Sequence, residues 1–165
     1  MKIYQLTRKQ FLPVNLKHAW DFFSSPKNLA LITPSGMAFK ILSYTGGEKM
    51  FKGQLIHYRI TILPAITVRW VTEIIEVNEP YQFIDEQRSG PYALWQHRHR
   101  FTAVQGGVEI VDELKYAIPM GWIGRLAHLL FVNKKVKAIF DFRYSALEKR
   151  FGRLVSSTEH RVKEN

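Results

Sequence analysis

Apolar and polar positions divide the chain into three stretches with different periods. Lys2 to Leu12 mixes β-branched, aromatic and basic residues and stops at Pro13, which predicts a strand. Asn15 is a good N-cap for the helix that follows, where Leu16, Trp20 and Phe23 fall at i, i+4 and i+7 and mark one buried face. Ser25-Pro26 opens a second short helix that runs to about Ile32 and ends at Pro34-Ser35-Gly36. From residue 38 to 118 the period changes to that of strands, over 38–45, 50–62, 66–78, 81–88, 92–104 and 107–118. The breaks between them, such as Gly46-Gly47, Pro64-Ala65 and Gln105-Gly106, are too short for parallel crossovers, so the strands pair as antiparallel hairpins. The helical period then returns from about 122 to 151. Trp122, Leu126, Leu129, Leu130, Val136, Phe140, Leu147 and Phe151 form its apolar stripe, and Gly152 is its stop.

These elements predict an α+β fold: a seven-stranded curved antiparallel sheet around one long C-terminal helix, with two short helices after strand 1. One domain spans residues 1–152, and 153–165 form a flexible tail. A sheet that grips a single helix leaves space between the two, and such a space suits an apolar ligand.

Alternation also assigns faces. In the 92–104 run, Leu94, Gln96, Arg98, Arg100 and Thr102 carry the charges and face solvent, which turns Trp95, His97, His99 and Phe101 inward. In the 107–118 run the inward set is Val108, Ile110, Asp112, Leu114, Tyr116 and Ile118. A two-residue turn at Gln105-Gly106 places His99 opposite Asp112 and His97 opposite Leu114. Tyr81, Phe83, Asp85 and Gln87 share a face, and on the inner side Asp85 comes near Trp95 or His97. The expected interior strip is therefore Asp85, Gln87, His97, His99 and Asp112 among aromatics. Three readings of that strip stay open. It is a satisfied polar network that fixes register, since an unpaired buried polar group costs roughly 1–3 kcal/mol. Alternatively, Asp112 orients His99 as an acid–base pair. The third reading is a metal site built from His97, His99 and an aspartate.

Composition narrows the chemistry. The chain has 165 residues and no cysteine, which excludes disulfides, thiol catalysis and thiolate-bound metals. No stretch reaches the ~18 apolar residues of a membrane span, and no signal-peptide core follows Met1, so a cytoplasmic protein is expected. Net charge is +10, and +6 of it lies from Trp122 onward. No phosphate loop, zinc-finger spacing or RNA-binding aromatic motif accompanies that charge, so no specific nucleic-acid partner is expected. A weak contact of the basic C-terminal helix with an anionic membrane surface is the partner the charge allows. Oligomeric state is not legible.

Several pieces together resemble a known superfamily. They are Pro13 with Ala19-Trp20-Asp21-Phe22-Phe23, Ser25-Pro26-Lys27-Asn28-Leu29, and Phe83-Ile84-Asp85-Glu86-Gln87. Further along come Gly90-Pro91-Tyr92, Trp95-Gln96-His97-Arg98-His99-Arg100-Phe101, Asp112, Tyr116, Pro119-x-Gly121 with Gly124, and Ile139-Phe140-Asp141-Phe142-Arg143. Over about residues 1–152 the chain resembles the SRPBCC superfamily, the helix-grip proteins that include the birch-pollen allergen, START lipid-transfer domains and polyketide cyclases. It is most similar to the bacterial ligand-binding SRPBCC domain proteins. The resemblance implies a cavity for a lipid-, polyketide- or aromatic-like small molecule and carries over no catalytic residue, metal or cofactor.

The expected ligand-binding residues are Phe83, Trp95, Phe101, Leu114, Tyr116, Leu126, Leu130 and Phe140 as apolar walls, with Asp85, Gln87, His97, His99 and Asp112 as polar handles. The alternative function is a metal-free cyclase, isomerase or hydratase that uses a His99–Asp112 acid–base pair.

Overall fold

The computed structural model describes residues 1–153, so the expected tail lies almost wholly outside the described residues. Seven strands form one antiparallel sheet: β1 (Tyr4–Leu12), β2 (Lys40–Tyr44), β3 (Leu55–Leu63), β4 (Ile66–Asn78), β5 (Gln82–Ser89), β6 (Leu94–Val104) and β7 (Gly107–Ala117). Their spatial order is β1-β7-β6-β5-β4-β3-β2. The meander from β2 to β7 follows the chain, and only β1 joins out of sequence, pairing Tyr4 with Tyr116 and Leu12 with Val108. The sheet and the long C-terminal helix match the architecture expected from the sequence.

The β6–β7 hairpin turns at Gln105-Gly106, with Val104 opposite Gly107. Gly106 takes the positive φ of 80° that a two-residue hairpin favours. This turn sets the register, so His99 faces Asp112, His97 faces Leu114, and on the other side Asp85 faces His97. The strand expected over 50–62 starts only at Leu55. Before it, the fully buried Gln54 side chain donates from Nε2 to the carbonyls of Thr45 and Gly47, at 3.2 and 3.3 Å. The backbone of this loop still meets β4, since Gly53 N–H donates to the Ile74 carbonyl at 2.7 Å and Ile74 N–H donates to the Gln54 carbonyl at 2.9 Å.

Helix α1 (Leu16–Phe23) starts where Asn15 Oδ1 accepts the His18 backbone N–H at 2.8 Å, and it buries Trp20, Phe22 and Phe23. A 3₁₀ helix follows over Pro26–Ile32. Trp20 and Phe23 meet Phe83 and Phe101 edge to face, at centroid separations of 5.2 to 5.9 Å. This aromatic packing fixes α1 on the sheet at one end of the helix-facing surface.

The C-terminal helix runs from Gly121 to Phe151 in three segments: α2 (Gly121–Ala127), a π-helical turn (His128–Val132) and α3 (Asn133–Phe151). Val136, Phe140 and Leu147 of the expected stripe are buried, two of them against Leu114 and Tyr116. The first half of the stripe is corrected. Trp122, Leu126, Leu129 and Leu130 are 74, 49, 77 and 68% exposed. The side turned to the protein carries Gly124 of α2 and His128 of the π turn instead. Gly124 sits tight on the Pro119 carbonyl. His128 stacks on Tyr4 at 3.5 Å and shares a 2.9 Å hydrogen bond with the Tyr116 hydroxyl. The π turn inserts an extra residue, so one uninterrupted 3.6-residue stripe cannot face the sheet along the whole length.

Candidate functional site

Between the helix-facing side of the sheet, α1 and the C-terminal helix lies a hollow of about 380 Å³. Its wall is mostly apolar and aromatic and draws on every layer: Phe22 and Phe23 from α1, Tyr58 and Trp70 from β3 and β4, Phe83 and Trp95 from β5 and β6, and Phe131, Ile139 and Phe140 from the helix. Trp70, Tyr92 and Trp95 form one aromatic group, with centroids 4.6 to 5.6 Å apart.

One region of that wall is polar. Adjacent strands β5, β6 and β7 each turn a residue of alternating parity inward, which brings Asp85, His97, His99 and Asp112 together. His99 stands between two carboxylates. Its Nε2 donates to Asp85 Oδ2 at 3.1 Å, and its Nδ1 lies 2.7 Å from Asp112 Oδ1, without the alignment of a full hydrogen bond. His97 donates from Nε2 to the same Asp112 Oδ1 at 3.0 Å, while its Nδ1 is 3.8 Å from Asp85 Oδ2. The two imidazoles lie 3.8 Å apart, with Phe83 stacked on His99 at 4.2 Å and Phe140 edge-on to His97 at 5.3 Å.

The environments drive the two histidines apart. Burial and the neighbouring His99 push the His97 pKa down to about 4, against the pull of Asp112 and Asp85. Burial also disfavours charge on His99, but the carboxylates of Asp112 and Asp85 outweigh it and raise its pKa. Burial would raise Asp112, yet the Arg143 guanidinium and the two imidazoles hold its carboxyl well below the usual range. The Asp112 carboxylate is thus set against the Arg143 guanidinium and the two imidazoles in a low-dielectric setting.

Arg143 completes the cluster from α3. It lines the hollow, its guanidinium carbon sits 5.7 Å over the Phe23 ring, and its buried Nε has no acceptor. Trp70 Nε1 is likewise buried without an acceptor. Asp85, His97 and His99 each bring one ligating atom within 4.8 Å of the others, so this trio is the set among the described residues that can hold a divalent cation. A cation there would displace the proton shared by His99 and Asp85.

Of the residues named from sequence, Phe83, Asp85, Trp95, His97, His99 and Phe140 line the hollow. Phe101, Asp112, Leu114 and Tyr116 are buried behind them. Gln87 instead bonds back to its own loop, donating to the Tyr92 carbonyl at 2.7 Å. Leu126 and Leu130 point to solvent and do not line it, because α2 and the π turn bring Gly124 and His128 inward.

No family model matches the chain, and no curated protein sequence does. Solved structures do. CV1439 of Chromobacterium violaceum superposes with a TM-score of 0.69 at 9% identity, covering 91% of this chain and 98% of that one. The allergen Ara h 8.0201 gives 0.60 at 15% identity over 91 and 98%. Norcoclaurine synthase of Thalictrum flavum, solved as a point mutant with a transition-state analogue, gives 0.62 at 12% identity over 90 and 96%. This chain has the helix-grip fold. At the hollow of this helix-grip frame stand three residues outside the expected ligand-binding set: Tyr58 and Trp70, which the sequence favours as core, and Arg143, to which it assigns no site role. Arg143 carried a usable signal. It falls between Phe140 and Leu147 on the buried stripe of α3, where a cation is out of pattern.

Proposed function

We propose that this protein binds a hydrophobic small molecule, lipid-, polyketide- or aromatic-like, in the hollow between sheet and C-terminal helix. The observation that carries the reading is an apolar hollow of about 380 Å³ with a polar patch on one wall. The size and composition are those of small-molecule sites. The unsatisfied N–H groups of Trp70 and Arg143 call for a ligand with at least one acceptor oxygen, because a buried donor left alone is costly. Burial of ~300 Å² of apolar ligand surface contributes roughly 7 kcal/mol before association costs, enough for micromolar binding. Native mass spectrometry of protein purified from its own host tests this. A co-purifying apolar compound, lost on Trp95→Asp, is the expected result; protein of bare mass that binds no apolar fluorescent dye refutes it.

The second reading is an enzyme of cyclase, isomerase or hydratase type. What favours it is the split between the two imidazoles at the hollow's wall, His97 pushed toward its neutral form and His99 toward its charged form. His99, whose raised pKa favours holding a proton, is the acid, and Asp112 holds its ring in place. Under this reading His99→Gln abolishes turnover of a bound ligand and leaves its affinity within a few-fold.

A further inference from the structure

The apolar residues of α2 and the π turn that were expected inside lie outside. Trp122, Leu129 and Leu130 are two-thirds or more exposed, and Ile123, Leu126 and Phe131 are 44 to 49% exposed. Soluble proteins rarely leave so many large side chains together on one short segment without a use for them. The charge around them has one sign. From Leu114 to Phe140 the sequence contains no Asp or Glu, while Arg125, Lys134, Lys135 and Lys137 punctuate the helix. The same segment forms part of the hollow's rim. Met120 and Phe131 line the hollow and are also exposed. Across the rim, the β3–β4 hairpin contributes Leu63, beside exposed Pro64, Ala65 and Ile66, again with no acid between Lys49 and Thr72.

We propose that this face, Met120 to Phe131 with the β3–β4 hairpin tip, docks on an anionic lipid bilayer and turns the mouth of the hollow toward the membrane. Leucines and one tryptophan on a helix surface, flanked by lysine and arginine, are the composition of a segment that lies in the headgroup region. A second copy of this chain fits poorly, because it would bring Arg125, Lys134 and Lys135 against their own likeness with no carboxylate to pair them. The docking surface stands without the ligand; only its use in loading the hollow from the bilayer rests on the ligand-binding reading.

Vesicles test it with the full chain. Of the four tryptophans, Trp20 and Trp70 are buried, Trp95 is half-buried and Trp122 is the exposed one. Phosphatidylcholine vesicles with 30% phosphatidylglycerol are expected to shift tryptophan emission to the blue, and brominated lipid to quench it. Trp122→Phe removes both signals. Partitioning falls about fivefold for each of Arg125→Ala and Lys134→Ala, and at least tenfold for the double variant Leu129→Ser/Leu130→Ser. None of these side chains packs in the core, so melting temperature serves as the folding control. Binding of an apolar dye by the double variant stays at the wild-type level, which separates failure of docking from failure of the hollow. Equal binding to neutral vesicles, no binding at 50 mM salt, or a dimer in sedimentation that Leu129→Ser/Leu130→Ser dissolves would each overturn the proposal.

Discussion

Replacing Asp112 with asparagine keeps its shape and removes one charge from the buried cluster. The Arg143 guanidinium and the two imidazoles then lose the carboxylate that offsets them, in a cluster where His97, His99 and position 112 are buried. Removing one partner of a buried ion pair costs about 3–5 kcal/mol. For a domain of this size 1 kcal/mol moves the melting temperature by about 2–4 °C, so the expected drop is roughly 6–20 °C. The cost also depends on pH, and its sign is fixed. A histidine whose folded pKa is raised adds stability that is complete below its ordinary value of about 6.5 and is lost as pH rises through the folded value. Asp112 is a main source of that raising. Asp112→Asn is therefore more damaging at pH 6 than at pH 9, because the wild-type His99 contribution is lost as pH rises. Thermal melts at both pH values measure it. A drop under 2 °C, or an equal drop at the two pH values, would refute the charge-balance account.

Other consequences are as direct. His97, held near pKa 4, resists protonation, so the folded state loses stability as pH falls from about 6.5 toward 4, by roughly 3 kcal/mol in all; His97→Asn flattens that slope in urea titrations. A Cβ on Gly107 would drive into the Leu12 carbonyl, which is backbone and cannot step aside. Gly107→Ala is thus expected to cost more than ~2 kcal/mol and to raise the unfolding rate. Arg143→Met keeps the aliphatic bulk of the hollow's wall and removes its cation. Affinity for an anionic apolar dye should fall at least tenfold, while a neutral dye binds within threefold, as fluorescence titration of the two dyes will report.

The β6–β7 meander was legible because two local rules agree there. Alternating charge on Arg98 and Arg100 sends His97 and His99 inward, and the Gln105-Gly106 turn fixes which residue faces which. Asp85 opposite His97 follows from the same parity carried across one more strand. The helix was legible only in its second half. Periodicity tells which residues share a face, but not whether that face meets a sheet, a hollow or solvent. The π turn at His128–Val132 also broke the phase without leaving a mark in the hydrophobic pattern. Arg143 escaped because an isolated arginine on a helix is usually a solvated surface residue; only its place between Phe140 and Leu147 says otherwise.

β1 is made first by sequence and placed last by topology, for its partner β7 lies a hundred residues downstream. Until they meet, β7 presents a full row of open N–H and C=O groups at the border of the sheet. A chain shortened by its first twelve residues would keep that border permanently bare, and another molecule's β1 could fill the gap. Mixing such a truncated form with intact protein should therefore produce strand-exchanged pairs, a route to self-association written into the order in which the ribbon closes.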